Sequence, residues 1–321
     1  MLSRVAERIY WMARYLERAE NTARIVNVNS NLLLDLPRSI TLGWEPLINI
    51  TGSKISFRRR RLVNKERNVV QFLISDLKNP GSLLNTLQYA RENARTIRDI
   101  IPREAWEHIN ALYLSTKSEL PGGLAQRRRF DFLGSVISGT QQITGLLAGT
   151  MLHDAGYYFL RMGRNLERAD MTTRIIDVQA SNLLPDNPEE LLPYENIQWM
   201  SVLQSLSGYQ SYRQKMQGRV HRGAVLGFLL QDKEFPRAFL HCLGEVGNCL
   251  GYLPRSDLLI AETNRIEKRV SKLDTERLQK QTIHEFIDSL QKELGKIHNM
   301  ISRNYFIIPV EKKKSGKKRK K

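Results

Sequence analysis

Arg14-Tyr15-Leu16-Glu17-Arg18-Ala19-Glu20-Asn21-Thr22-Ala23-Arg24-Ile25 returns 150 residues later as Arg164-Asn165-Leu166-Glu167-Arg168-Ala169-Asp170-Met171-Thr172-Thr173-Arg174-Ile175. Eight of the twelve positions are identical, and Asp170 conserves the charge of Glu20. Placed on a helix, Val5, Ile9, Met12, Leu16, Ala19, Ala23 and Val26 fall at alternating four- and three-residue steps and form one apolar stripe. Tyr10, Arg14, Glu17, Asn21 and Arg24 form the next stripe, and Arg8, Trp11, Tyr15, Arg18, Thr22 and Ile25 flank the other side. The second copy puts Phe159, Met162, Leu166, Ala169, Thr173 and Ile176 inward, Arg164, Glu167 and Arg174 on its second stripe, and Arg168 and Thr172 on its third. A solvated face tolerates any charge order, whereas here the same charges recur in the same order beside the same small alanine.

The repeat extends beyond the motif. Phe72-Leu73 with Asp76 and Pro80 matches Phe228-Leu229 with Asp232 and Pro236 at an offset of 156, and Trp44 with Leu47 and Ile48 matches Trp199 with Val202 and Leu203 at 155. A period of this length exceeds a solenoid unit. It predicts an all-α helical bundle of two halves, roughly 1–120 and 150–255, packed about a pseudo-twofold axis. Further C-terminal helices follow, with Leu258, Ile266, Val270, Leu273, Ile283, Phe286, Leu290, Leu294 and Ile297 as inward positions. The two motif helices are expected to lie against each other near the centre, with Glu17 and Glu167 in equivalent surroundings. Leu36-Pro37 closes the first helix, predicted over 3–34. Helices are also expected near 62–76, 82–101, 103–117, 126–147 and 151–183, with Ser82 and Asp154 as N-terminal caps. Pro121-Gly122-Gly123 reads as a loop.

Through Leu2-Ser3-Arg4-Val5-Ala6-Glu7-Arg8-Ile9-Tyr10-Trp11-Met12-Ala13-Arg14-Tyr15-Leu16-Glu17-Arg18-Ala19-Glu20, and through Phe159-Leu160-Arg161-Met162-Gly163-Arg164-Asn165-Leu166-Glu167-Arg168-Ala169-Asp170, the chain resembles the bacterial alpha-E family. Asn79-Pro80-Gly81-Ser82 and Ala90-Arg91-Glu92-Asn93-Ala94-Arg95 add to the likeness. It covers roughly residues 1 to 308, which are read as one helical domain ahead of a basic tail at 309–321. Members of that family often accompany, or are fused to, a circularly permuted ATP-grasp protein, with a transglutaminase-like protein nearby. The resemblance therefore implies an ATP-grasp-type ligase as partner and a setting of amide or peptide bond formation. It implies no reaction for the helical domain itself.

The net charge of the 321-residue chain is +17. Eight of those charges sit in Lys312-Lys313-Lys314-Ser315-Gly316-Lys317-Lys318-Arg319-Lys320-Lys321, leaving +9 on the remainder. Such a block repels itself and reads as a disordered tail. Arg58-Arg59-Arg60-Arg61 and Arg127-Arg128-Arg129 form two more basic clusters. An acidic partner, an anionic membrane or nucleic acid would each be drawn to these charges, although no aromatic residues interleave the tail to stack on bases. A solvated tail and loop that aid solubility are the plain alternative. No apolar run reaches the ~18–20 residues of a membrane-spanning helix, and charges interrupt the N-terminal stretch where a signal core would lie. A cytoplasmic location is the default expectation.

Chemistry-bearing motifs are sparse. Cys242 and Cys249 share a helix face but stand about 10 Å apart along it, too far for a disulfide. His284-Glu285-Phe286-Ile287-Asp288 lacks the second histidine of a zinc-protease helix. There is no phosphate-binding glycine loop and no nucleophile elbow, so no cofactor and no metal are expected. Attention returns to the motif, which admits two readings. In the structural one, Glu17 and Glu167 pair with Arg18, Arg168 or neighbouring arginines across the interface and fix helix register. In the functional one, Arg14, Arg18, Arg164 and Arg168, with Arg24 and Arg174, serve an anionic ligand or partner, and Tyr10 and Trp11 wall the pocket. Glu17 or Glu167 is then the candidate acid or base, and ringing arginines favour the base. Three functions follow: a non-catalytic accessory to a ligase, an enzyme acting on an anionic substrate between the motif helices, and a basic nucleic-acid-binding protein.

Overall fold

The structure, a computed structural model, describes residues 3–35, 43–181, 188–278 and 280–307. The tail at 309–321 and the Leu36-Pro37 helix stop lie outside the described residues. Every regular element among those described is helical. In chain order these are α1 (Ser3–Asp35), α2 (Glu45–Ile50), α3 (Lys54–Arg59), α4 (Glu66–Ile74), α5 (Leu83–Thr96), α6 (Arg103–Gly123) and α7 (Gln126–Thr150). They are followed by α8 (Ala155–Ser181), α9 (Pro188–Ser205), α10 (Tyr209–Met216), α11 (Arg222–Gln231), α12 (Phe239–Leu250), α13 (Asp257–Ser271) and α14 (Lys280–Ile301), closed by a π-helical turn at Ser302–Phe306.

The two motif helices, α1 and α8, form the most extensive helix pair in the bundle. Around them the packing partners recur. α1 packs on α5 and α7, and α8 packs on α12 and α14. α5 meets α6 and α6 meets α7, while α12 meets α13 and α13 meets α14. α2 reaches across to α8, and α9 reaches across to α1. Being enclosed on several sides, α1 buries more than the one apolar stripe: Ile9, Met12, Leu16, Ala19, Ala23 and Val26 are buried as expected, and so are Tyr10, Glu17, Glu20, Asn21 and Ile25.

Local chemistry sets the helix ends that frame the site. Ser82 takes the Asn85 amide at 3.4 Å and starts α5. Asp154 takes the Gly156 amide at 2.8 Å and starts α8. At the α1–α8 crossing a Cβ on Gly163 would lie 2.4 Å from the Tyr10 carbonyl oxygen, so only glycine permits this approach.

Several expectations need correction. α6 runs on to Gly123, so the proposed loop at Pro121-Gly122-Gly123 is its last turn. Proline there has no N–H to bond the carbonyl four residues back, so the last turn of α6 lacks one backbone hydrogen bond. α5 stops at Thr96 and α4 starts only at Glu66. α3 was not foreseen. Leu258 is 77% exposed, and its neighbour Leu259 is the buried residue. Arg129 leaves the solvated basic cluster: it is buried, donates to Glu66 at 2.8 Å, and lies over the Trp44 ring.

Candidate functional site

Both motif glutamates lie in the α1–α8 interface, 2–3% exposed. Each takes the arginine that follows the other glutamate in sequence. Arg168 Nε donates to Glu17 Oε2 at 2.8 Å. Arg18 Nε donates to Glu167 Oε1 at 2.5 Å, and its Nη2 to Oε2 at 3.0 Å. The pairing across the α1–α8 interface is thus reciprocal.

The second arginine differs between the copies. Glu167 Oε2 also accepts from Arg14 Nε at 2.7 Å. Glu17 instead accepts from Arg237, whose Nη1 lies 2.6 Å from Oε1. Arg237 comes from the residues just before α12. It is itself buried and donates further to Asn21 Oδ1 at 2.8 Å and Glu20 Oε1 at 2.6 Å. Arg164, the counterpart of Arg14, makes no such contact, and its buried Nε has no hydrogen-bond partner. The two surroundings are therefore not equivalent: Glu17 takes Arg237, and the position that the repeat offset sets opposite Arg237 is Gly81.

The outer arginines stay within their own helices. Arg24 donates to Glu20 at 2.9 Å and Arg174 to Asp170 at 2.8 Å, both one turn back. Tyr10 is fully buried, with its hydroxyl 2.9 Å from His298 Nδ1 on α14 and accepting from Arg14 Nη1 at 3.3 Å. Trp11 is partly buried and lies under the Arg14 guanidinium, 5.0 Å from its ring centre.

Electrostatics follow from this geometry. Burial alone would raise the Glu167 carboxyl, but the Arg18 and Arg14 guanidiniums outweigh it and hold it well below the usual carboxylate range. Glu17 is held low against the same burial by Arg168 and Arg237. Arg164 is pushed down by burial and by neighbouring Arg168. His298 is pushed down to about 4, by burial and then by Arg14. Burial also raises the thiols, Cys242 to about 12 and Cys249 to about 11, so both are protonated. Among the described residues no three His, Cys, Asp or Glu side chains converge as a metal site, and no helix is long and apolar enough to cross a membrane.

A cavity of about 260 Å³ opens against the second copy of the motif; Glu167, Asp170, Arg18 and Arg174 line it together with Gly52 and Gly81. Of the residues singled out from sequence, Arg18, Glu167 and Arg174 border it, while Glu17, Arg14, Tyr10, Arg24, Arg164, Arg168 and Trp11 do not. Sequence reasoning missed Arg237, Asn21, Glu20 and His298. The offset aligning Pro80 with Pro236 sets Gly81 opposite Arg237, so the repeat supplies no arginine there to point to it.

Residues 1–306 match the model of the Alpha-E family, described as a predicted alpha-helical domain with a conserved ER motif. The chain is 24% identical to the uncharacterized protein Mb2597 of Mycobacterium bovis and 23% identical to the uncharacterized protein Rv2567 of Mycobacterium tuberculosis. Each alignment covers 92% of this chain and 34% of the relative, so the chain spans about a third of the length of these curated relatives. No solved structure matches.

Proposed function

The chain belongs to the alpha-E family, and from that premise we propose that it is a non-catalytic accessory domain. It assists an ATP-grasp-type ligase of amide or peptide bonds, by docking to it or by presenting the acceptor substrate, in the cytoplasm. One observation carries the non-catalytic part: Glu17 and Glu167 are buried and each is bonded by two arginines. A carboxylate held that far below neutrality is a weak base and has no proton to give as an acid. The ligase partner rests on the family resemblance. The greater length of the mycobacterial relatives is in keeping with a domain that works beside others.

The pseudo-twofold division into 1–120 and 150–255 within a single domain at 1–308 belongs to the same reading. Its support is the recurrence of packing partners around α1 and α8. The enzyme reading is weaker because Arg18 and Arg174, which border the cavity, are each committed to a carboxylate. The nucleic-acid reading loses Arg129 from its basic surface but keeps the exposed Arg58–Arg61 run.

The test is capture of partners from a native extract at low salt with the full chain as bait, followed by an ATP-dependent ligation assay with any ligase recovered. The expected result is a ligase whose turnover rises when the chain is added. Recovery of no ligase, or a ligase indifferent to the chain, overturns the proposal.

A further inference from the structure

We infer that the cavity beside Gly81 is a binding site for a guanidinium group carried by another molecule. The first copy of the motif displays the occupied form of this site within the same chain. There the Arg237 guanidinium crosses from the start of α12 to α1 and is held by Glu17, Asn21 and Glu20 at 2.6–2.8 Å. The offset that aligns Pro80 with Pro236 places Gly81 opposite Arg237, and it also aligns Leu83 with Phe239, the first residues of α5 and α12. With no side chain at 81, the matching space is the cavity of about 260 Å³. The carboxylates that hold Arg237 recur at its wall as Glu167 and Asp170. Met171 stands where Asn21 stands, so one acceptor of the three is replaced.

Charge favours a cation over an anion. Arg18 is paired with Glu167, and Arg174 with Asp170. The lining is neutral, as is the set of Glu17 with Arg168 and Glu20 with Arg24 that receives Arg237; Glu167 already holds Arg14 where Glu17 holds Arg237, so Asp170 is the carboxylate left to receive a further guanidinium. An anion would face two carboxylates, while the arginines beside them are already engaged. A guanidinium finds at Asp170 a carboxylate bonded to a single arginine, whereas Glu20 holds two. The backbone does not require glycine at 81. A Cβ there would meet Asn79 Oδ1 at 3.5 Å and Ser53 Oγ at 3.8 Å, ordinary contacts. Gly52 is different: its φ is +66° and a Cβ would press on Arg174 at 3.0 Å, so glycine there keeps Arg174 in place at the cavity wall.

The ligand is thus a guanidinium on a flexible stem, either an arginine side chain of a peptide or a small free guanidine. This inference does not depend on the ligase reading. It is tested on the full chain by calorimetric titration at low salt with agmatine and with the tripeptide Gly-Arg-Gly. Putrescine and phosphate serve as controls. Saturable binding is expected, weaker for putrescine and absent for phosphate. Tripeptide binding as tight as agmatine marks a peptide-borne arginine, and agmatine binding alone marks a free guanidine. Gly81→Arg supplies the guanidinium internally. It should abolish agmatine binding while melting at or above the wild-type temperature. Asp170→Asn should weaken binding by about tenfold or more, through loss of a charge-assisted hydrogen bond. No saturable binding of either guanidine, phosphate bound in their place, or agmatine affinity unchanged in Asp170→Asn overturns the inference, whether or not Gly81→Arg folds.

Discussion

Glu17 and Glu167 hold the same place in the repeat yet answer to different arginines, and this should separate them under mutation. Glu17→Gln would leave Arg168 and Arg237 facing a neutral amide in a site where Arg237 is buried on every side. Breaking one partner of a buried pair costs roughly 3–5 kcal/mol, a large part of the ~5–15 kcal/mol that holds a typical domain together. Glu167→Gln frees Arg14 and Arg18, and Arg18 is 29% exposed and borders the cavity. Water there can take up part of its charge, so the loss should be smaller, on the order of 2 kcal/mol. Urea unfolding of the two variants should rank Glu17→Gln as the less stable. Equal losses would mean that the cavity does not hydrate Arg18.

At the scale of the helix, the α1–α8 contact depends on Gly163. In the other copy its counterpart is Ala13, which is buried without difficulty. A methyl at 163 would meet the Tyr10 carbonyl at 2.4 Å, which is backbone and cannot swing aside. Gly163→Ala should therefore lower stability by about 1–3 kcal/mol through overpacking, against a helix-propensity gain of about 1 kcal/mol. Gly145→Ala in α7 is the control, since nothing lies within 4 Å of a Cβ there; it should be neutral or stabilising. If both alanines stabilise alike, the helices have room to part. The same crossing shows what sequence could convey. The stripe of Ile9, Met12, Leu16 and Ala19 marked helix and buried face, because periodicity encodes burial directly. The reciprocal Glu-Arg bonds were legible because the repeat doubled every charge. Arg237 and His298 were not anticipated: they reach α1 from elements more than 200 residues away, and no local spacing encodes such a contact. Helix ends were misjudged where a rule has a tolerated exception, as with Pro121 in a last turn.

At the scale of the whole molecule, the contact between Tyr10 on α1 and His298 on α14 ties the two ends of the chain together, and it should make the fold sensitive to acid. His298 Nδ1 lies against the Tyr10 hydroxyl, and burial, then the Arg14 charge, push its pKa down to about 4 from the ordinary 6.5. As pH falls through 6.5 the unfolded chain takes a proton that the folded chain refuses, so stability declines between about 6.5 and 4. Glu167 and Glu17 are depressed as well, and their contribution is lost only below the ordinary carboxylate value of 4.5. His284 works in the opposite sense. Its hydrogen bond with Asp177 raises it, which favours the folded state as pH falls, but its side chain is 58% exposed and the effect is small. The unfolding free energy should therefore drop by about 1–2 kcal/mol from pH 7 to pH 5, after allowing for the partial exposure of His298, and fall more steeply below about 4.5. His298→Gln keeps an acceptor for the Tyr10 hydroxyl and cannot be protonated, so it should flatten the upper limb and leave the lower one intact. Urea titrations at pH 7, 5.5 and 4.5 on both proteins decide it. A wild type whose stability is level down to pH 4.5, or a His298→Gln variant with the same decline, would remove His298 as the acid-sensitive tie and leave only the buried carboxylates to account for acid unfolding.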